Sequence, residues 1–277
     1  TGTTRAILPP GWEPVGRRDD VVAERTTGGV VLRAKSKTDP FDFIHCVEAV
    51  DPDRLERTYV TGEAGKSLVA IESWPTDPNW AEGMRRIAAE ALPNLEAMLG
   101  TTMPGGEMRV REVATQSRRY TYGDDRPTDG VLGMDEDADP RLLAGRLARA
   151  WIDPARFVDP WLSEGLAQWL ATQAAADIPC GDAGQHPGPD APDLDAWVAV
   201  TSSELVDLGN WQSKTACNLM DTAAEIIGPE RMVELILELI DAPVPVGTSH
   251  WLAGISRDLP EGLDDLVAAL DAAGVDH

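Results

Sequence analysis

Two predicted helices between residues 139 and 174 form the most informative part of this sequence. Asp139-Pro140 and Asp159-Pro160 each combine a favourable N-cap residue with a proline suited to the first helical turn, so both dipeptides predict helix starts. Apolar residues then recur at intervals of three and four, which predicts one buried stripe on each helix. These residues are Leu143, Leu147, Ala150 and Trp151 in the first helix, and Leu162, Leu166, Trp169 and Leu170 in the second.

The second helix carries a motif, because residues 161–167 read W-L-S-E-G-L-A. This segment resembles the W-L-x-E-G-x-A helix of the gluzincin metallopeptidases, the superfamily of alanyl-aminopeptidase-like enzymes. In that family the Glu is the third zinc ligand, and the resemblance assigns this position to Glu164. Trp151 falls at the Trp that follows the second zinc-binding His in the family's H-E-x-x-H-x-W helix. The resemblance covers about residues 75–240.

The first helix departs from the family pattern. Counting back from Trp151, the His, Glu and His positions hold Gly145, Arg146 and Arg149, and Gln212 replaces the Tyr of the family's Y-x-K-G-A motif. Two His one turn apart can reach one tetrahedral ion, and a neighbouring Glu can deprotonate its bound water. An arginine stays cationic and cannot take either role. We therefore expect these four positions to be non-catalytic, and the chain to bind no metal and no cofactor.

Glu164 then needs a new partner. A partly buried carboxylate without a cation is destabilised by roughly several kcal/mol unless it pairs or takes a proton. By the resemblance, Arg149 stands at the second His position, and Arg146 lies on the adjoining face of the same predicted helix. We expect Arg149, or failing that Arg146, to lie within about 4 Å of Glu164.

The order of the elements, together with the resemblance, predicts an α+β fold, a thermolysin-like gluzincin domain with a small mixed sheet and helices. Short β-rich runs and turn signals fill residues 1–75, which we predict as a β-rich N-terminal region. We predict residues 76–277 as the gluzincin-like domain with a helical C-terminal part. Its strands are predicted at 107–114 and 130–134, with a further candidate at 118–122. Its other helices are predicted after Asp77-Pro78 and at 195–208, 213–227, 229–240 and 263–273.

The resemblance also predicts a groove. In the family, the strand before the motif helix lines the substrate cleft, and residues 133–136 (G-M-D-E) loosely echo its G-x-M-E-N signature. We expect a groove between residues 130–134 and the Glu164 helix to persist as the main concavity, holding a peptide or protein partner. The expected binding residues are Glu164, Arg149, Arg146, Met134 and Trp151.

The charge and hydropathy of the chain limit the kinds of partner that it is expected to bind. The chain has 24 Lys and Arg against 47 Asp and Glu, a net charge of −23. Such a surface repels phosphate backbones, so nucleic acid is not an expected partner. No apolar run approaches the roughly 18 residues that a membrane helix needs. The chain begins at Thr1 without an initiator Met, which favours a trimmed extracellular or cell-envelope protein, with a cytoplasmic protein as the alternative.

Three cysteines leave two possibilities open. Cys180 and Cys217 would be bridged in an oxidising compartment, with Cys46 buried on a strand; otherwise all three are reduced core residues. For function, the leading hypothesis is a catalytically inactive, metal-free domain with a binding, scaffolding or structural role. The alternative is a peptidase or other hydrolase with a relocated site, for which the candidates are Glu164, His186, His250 and nearby Asp residues.

Overall fold

The structure, a computed structural model, describes residues 5–14, 21–34, 49–63, 65–113, 131–175, 178–185, 188, 192–197, 206–258 and 263–275. This part of the chain is a mixture of strands and helices, in agreement with the predicted class. The strands are β1 (Arg5–Leu8), β2 (Glu13–Pro14), β3 (Val21–Thr26), β4 (Gly29–Ala34), β5 (Ala49–Val50), β6 (Glu56–Thr61), β7 (Leu68–Ser73), β8 (Glu107–Val113) and β9 (Val131–Asp135). The helices are α1 (Pro78–Leu99), α2 (Leu142–Ala148), α3 (Pro160–Ala174), α4 (Val206–Ile227), α5 (Pro229–Ile240), α6 (Thr248–Asp258) and α7 (Leu263–Ala272).

The largest sheet has the strand order β6-β7-β8-β9. β6 and β7 form an antiparallel hairpin, whereas β7, β8 and β9 run parallel, with α1 as the crossover between β7 and β8. One face of the sheet carries apolar side chains that join the helices in the main core. Because β6 and β7 precede residue 76, this sheet crosses the boundary predicted between the N-terminal region and the second domain.

Two smaller sheets lie in the first fifty residues. β1, β4 and β3 form an antiparallel three-stranded sheet, and β2 pairs with β5. Leu8, Val30 and Leu32 form a small hydrophobic cluster of their own on the three-stranded sheet.

α1 begins and ends where the sequence predicts. The Asp77 carboxylate accepts a hydrogen bond from the Trp80 amide at 3.1 Å, which satisfies a donor in the first turn. Gly100 ends the helix in the left-handed conformation, with a φ of 65° that favours glycine.

A buried carboxylate on α1 holds the turn between β6 and β7. The Glu63 amide donates to Glu96 Oε2 at 2.9 Å, and the Ser67 hydroxyl donates to the other oxygen of Glu96. Ser67 Oγ also accepts from the Met103 amide at 2.9 Å. A Cβ at Gly62 would overlap the Glu96 carboxylate, so a side chain there would displace Glu96 from its hydrogen bonds to the turn.

The first motif helix, α2, is shorter than predicted. It begins at Leu142 instead of Pro140, with Arg141 at the N-cap position. The Leu142 and Leu143 amides each bond to a carbonyl three residues back, at 3.0 Å, so the first turn is of the tighter 3-10 type. The Asp139 carboxylate accepts from the Arg141 amide at 3.0 Å instead of capping an α-helical turn.

The second motif helix, α3, begins at Pro160 as predicted and lies at the centre of the core. Trp161 is fully buried and packs edge-on against Trp251 of α6, with ring centroids 5.8 Å apart and planes at 81°. Asp159 occupies the N-cap position, but its carboxylate accepts from the Thr248 amide at 2.6 Å and hydroxyl at 2.7 Å. Asp159 therefore satisfies the start of α6 and not that of α3.

Other predictions differ from the structure or lie outside it. The helix α4 is continuous from Val206 to Ile227, so no break separates the helices predicted at 195–208 and 213–227, and α6 was not predicted. Residues 198–205 of the first of these predicted helices lie outside the described residues. The strand candidate at 118–122 lies outside the described residues, as does His186. Within the described residues, every helix is too short or too polar to cross a membrane.

Candidate functional site

Glu164 lies in the middle of α3, and its side chain is 11% exposed. The helix is covered on all sides because α1, α2 and α4 pack around it, and its residues from Trp161 to Ala167 are all buried. A carboxylate in this position must be paired, since an unpaired buried charge would strongly destabilise the fold.

The Arg149 guanidinium pairs with that carboxylate. Arg149 is the residue that follows α2, and its Nη2 donates to Glu164 Oε2. The arginine side chain is 17% exposed, so the ion pair is largely shielded from water. The predicted contact between Arg149 and Glu164 is therefore confirmed.

The other carboxylate oxygen has two neutral donors. Gln168 Nε2 donates to Glu164 Oε1 at 3.0 Å, and the Ser213 hydroxyl of α4 donates to the same oxygen at 2.8 Å. Sequence reasoning missed both residues. Gln168 had a usable signal, because it follows Glu164 by one helical turn on the same face. Ser213 had none, since it is 49 positions away along the chain.

Gly145 makes room for one of these donors. A Cβ built on Gly145 would lie 3.0 Å from both terminal atoms of Gln168, closer than such contacts normally come. The space that a side chain at position 145 would take is thus filled by the amide of Gln168. Gly145 and Gln168 are sterically matched to each other.

The surroundings of Glu164 keep it ionised. Burial alone would raise the pKa of its carboxyl, but the Arg149 and Arg146 guanidiniums attract the charged form. The hydrogen bonds from Gln168 and Ser213 act in the same direction, and the balance lowers the pKa of Glu164 below its ordinary value. Arg146 therefore contributes to the site through its charge.

These residues do not fit a zinc ion. Both oxygens of Glu164 are engaged, by Arg149 on one side and by Gln168 and Ser213 on the other. Gly145 offers no ligand atom, and Arg149 brings a permanent positive charge to the place that a cation would take. Across the described residues, no group of three or more His, Cys, Asp and Glu side chains could hold a metal ion.

Three other predicted site residues lie within the core or at its edge. Met134 is buried in the main core, so it does not line an open groove. Trp151 is buried too, and its indole nitrogen donates to Thr101 Oγ1 at 3.2 Å. Gln212 is fully buried and donates to the Asp193 carbonyl at 3.4 Å, toward the segment 192–197.

His250, a candidate of the alternative hypothesis, is exposed in the first turn of α6. Its Nδ1 accepts from the Gly247 amide at 3.4 Å, at the upper limit of a hydrogen bond. This contact gives His250 a local structural role.

A disulfide fixes the segment 178–185 against α4. Cys180 and Cys217 are bridged, as one of the two possibilities left open by the sequence has it, whereas Cys46 lies outside the described residues. Lys214 Nζ donates to the Asp182 carbonyl at 3.1 Å, and Asn218 Nδ2 donates to the Gly181 carbonyl at 3.2 Å. The segment is therefore held on the same stretch of α4 that supplies the Ser213 hydroxyl to Glu164.

The fold is similar to that of the M1 zinc metallopeptidases, the aminopeptidase-like group of gluzincins. Among the similar structures are a yeast LTA4 hydrolase, with a TM-score of 0.57 and 14% identity, and an M1 zinc metallopeptidase from Deinococcus radiodurans, with 0.57 and 15%. A third is Legionella pneumophila aminopeptidase A in complex with aspartic acid, with 0.58 and 14%.

Each alignment covers 96% of this chain, but only 44%, 63% and 34% of the yeast, Deinococcus and Legionella chains, respectively. No family model and no curated protein matches the sequence. At these identities the likeness establishes the fold and leaves the activity open.

Proposed function

We propose that this protein is a catalytically inactive, metal-free domain on an M1 metallopeptidase-like fold, with a role in binding a peptide or protein. The observation that carries the proposal is the ion pair between Arg149 and Glu164, which lies where the resemblance would put the family's metal. The resemblance assigns Glu164 to a ligand position, and a guanidinium now neutralises the charge that a zinc ion would neutralise there.

Two further observations support the loss of metal chemistry. Gly145 and Gln168 fit one another so closely that a His side chain at position 145 would require Gln168 to move. Ser213 adds a hydrogen bond to the carboxylate from a third element. Donors from three elements thus contact the Glu164 carboxylate. This arrangement supports an ion pair and argues against a metal site with one ligand missing.

The direct test is the metal content and the peptidase activity of the protein purified without chelators. We expect well under one zinc per chain and no chelator-sensitive cleavage of peptide substrates. One equivalent of zinc together with cleavage that a chelator abolishes would contradict the proposal.

A reconstruction makes this test sharper. Gly145→His, Arg146→Glu and Arg149→His together would restore the family pattern, and Gln168→Ala would provide the space. We expect this variant to bind about one zinc, since His₂Glu is a standard catalytic zinc set. The matched control adds Glu164→Ala and should lose the metal. Failure of the folded reconstruction to bind zinc would contradict the assignment of Glu164 to the ligand position.

The binding role is tested separately. Peptides selected from a random display library should cross-link to photoreactive groups placed at exposed positions of α2, such as Leu142 at its start. Cross-links that map only to distant surfaces would argue against a partner at the former cleft.

The Cys180–Cys217 disulfide favours an oxidising compartment, and we propose an extracellular or cell-envelope location on that basis.

A further inference from the structure

The outer face of the large sheet, opposite the helices, carries a cluster of charged residues. The sheet register places Arg57 of β6 beside Glu72 of β7, and Glu72 beside Arg111 of β8. Arg109 lies two residues before Arg111 on β8 and so points to the same face. Glu72 accepts hydrogen bonds from Arg57 Nε at 3.1 Å, Arg109 Nη2 at 2.8 Å and Arg111 Nε at 2.7 Å.

This cluster has more positive than negative charge. Glu72 is fully buried, and Glu13 of β2 adds a second carboxylate that lies 2.9 Å from Arg111 and 3.9 Å from Arg109. Three guanidiniums against two carboxylates leave one positive charge in excess. Burial would raise the pKa of Glu72, but the hydrogen bonds from Arg109 and Arg111 lower it, so the glutamate stays ionised and this excess persists.

A cavity of about 410 Å³ opens beside the cluster. Its floor is Ala70, whose small side chain lies between Tyr59 on β6 and Arg109 on β8 in one row of the register. Arg57 and Glu13 also line the cavity. This volume is within the range of small-molecule sites.

Part of each cavity arginine is available to a ligand. Arg57 donates to Glu72 through Nε alone, and Arg109 donates to Glu72 through Nε and Nη2. Among the described residues, both terminal nitrogens of Arg57 and Nη1 of Arg109 therefore donate to no protein acceptor. Their side chains are 41% and 27% exposed, which keeps them accessible from the cavity. Carboxylates are the natural partners of such guanidinium edges.

The rim has the opposite charge. Asp53 and Glu107 line the cavity and are both exposed, where water screens them from the arginines. We propose that this cavity binds a small zwitterion of the amino-acid or short-peptide type, with its carboxylate on Arg57 and Arg109 and its ammonium toward Asp53 and Glu107. One carboxylate suits the free nitrogens of Arg57 and Arg109, whereas a phosphate dianion would face the carboxylates of Glu13, Asp53, Glu72 and Glu107 that line the same cavity. This site is independent of the one at Glu164.

The test uses a dipeptide with free termini, Ala-Ala, titrated into the isotope-labelled protein and followed by amide chemical shifts. We expect a dissociation constant of about 1 mM or below, with shifts in β6, β7 and β8. The C-terminal amide of Ala-Ala lacks the carboxylate and should bind at least about tenfold more weakly. The N-acetylated dipeptide lacks the ammonium and should lose less, because the rim is more exposed to water.

Variants connect binding to the cavity. Arg57→Gln should weaken Ala-Ala binding about tenfold and still fold, because Arg109 and Arg111 remain on Glu72. Tyr59→Ala, outside the charged cluster, should weaken binding without changing the preference for the free carboxylate. Arg54→Gln is the matched control, since its arginine side chain is 75% exposed and does not line the cavity.

Three results would overturn the site. They are no binding up to about 20 mM Ala-Ala, equal binding of the acid and its amide, and undiminished binding by folded Arg57→Gln. Each of these results leaves the metal and peptidase tests of Glu164 unaffected.

Discussion

Glu164 receives donors from three elements: the residue after α2, its own helix α3, and α4. Replacing it with alanine leaves the Arg149 guanidinium partly buried without its carboxylate. We expect Glu164→Ala to lower the free energy of unfolding by about 3–5 kcal/mol, measured by urea denaturation. The matched control is Glu82→Ala, which breaks the exposed pair with Arg85 and should lower the free energy of unfolding far less, because water screens that pair.

A double substitution separates the charge from the packing. Arg149→Met combined with Glu164→Leu removes both charges and keeps apolar volume, so it should recover most of the loss seen in Glu164→Ala. If the double variant is as unstable as the single one, the ion pair is not what makes Glu164 necessary.

The pH dependence of stability provides a second residue-level prediction. Folding lowers the pKa of Glu164 below its ordinary value of 4.5, so the native state holds this carboxylate ionised more firmly than the unfolded chain does. Its stabilising contribution is therefore complete above pH 4.5 and is lost as the pH falls through the lowered pKa. Glu164→Gln should flatten the acid side of a plot of unfolding free energy against pH.

Glu112 provides a comparison of opposite sign. Burial and the nearby Asp77 and Glu136 carboxylates raise its pKa, against one hydrogen bond from the Trp74 amide at 2.8 Å. Ionising Glu112 therefore lowers the stability of the fold as the pH rises above the ordinary pKa of a glutamate. Glu112→Gln should gain stability relative to the parent toward neutral pH, whereas Glu164→Gln should lose it. Parallel profiles for the two variants would contradict at least one of the two assignments.

At the scale of elements, Gly165 controls how closely α3 and α4 approach. A Cβ there would lie 2.7 Å from the Ala216 carbonyl oxygen and 3.1 Å from Met220 Cγ. Because the first of these atoms is backbone, the helices must separate, and we expect Gly165→Ala to destabilise by about 1–3 kcal/mol despite better helix propensity. Gly254→Ala in α6 is the control, since its Cβ meets only the Leu235 side chain, which can rotate. Equal losses from the two variants in thermal unfolding would contradict this reasoning.

The Cys180–Cys217 disulfide gives a prediction about α4 and the segment that covers it. The bridge joins residues 37 positions apart, so it restricts the unfolded chain appreciably. The double variant Cys180→Ser with Cys217→Ser should be about 2–4 kcal/mol less stable than the oxidised parent. Reducing agent should lower the parent to the same level and leave the double variant unchanged. An unchanged parent after verified reduction would show that the bridge is not stabilising.

Local signals predicted helix ends well where residues adjacent in the sequence begin or end the helix. Asp77 and Gly100 bound α1, and Pro160 begins α3, because these signals act within one or two turns. They failed where a distant residue decides the start: Asp159 holds the first amide of α6, which lies 89 residues further along the chain. For the same reason, the contact between Arg149 and Glu164 was predictable from charge balance within the pair of motif helices. The hydrogen bond from Ser213 to Glu164 was not, because Ser213 is distant in the sequence.

For the whole molecule, the charge of −23 predicts a response to salt. Like charges over the surface repel each other more in the compact state than in the expanded one. Raising NaCl from about 0.02 to about 0.5 M shortens the screening length several-fold, so the Tm should rise. The partly buried Arg149–Glu164 pair should be weakened less, so Glu164→Ala should show a similar rise. A Tm that falls with NaCl would mean that screened attractions outweigh the repulsion.

Glu96 ties together parts of the chain that are otherwise separate. Its carboxylate receives the Glu63 amide and the Ser67 hydroxyl, and Ser67 in turn receives the Met103 amide. The β6–β7 turn can therefore open only by breaking its hydrogen bonds to Glu96 on α1, and opening it also releases the Met103 amide from Ser67. In hydrogen–deuterium exchange the Glu63 and Met103 amide protons should be protected together with the middle of α1, as members of one unit that opens cooperatively.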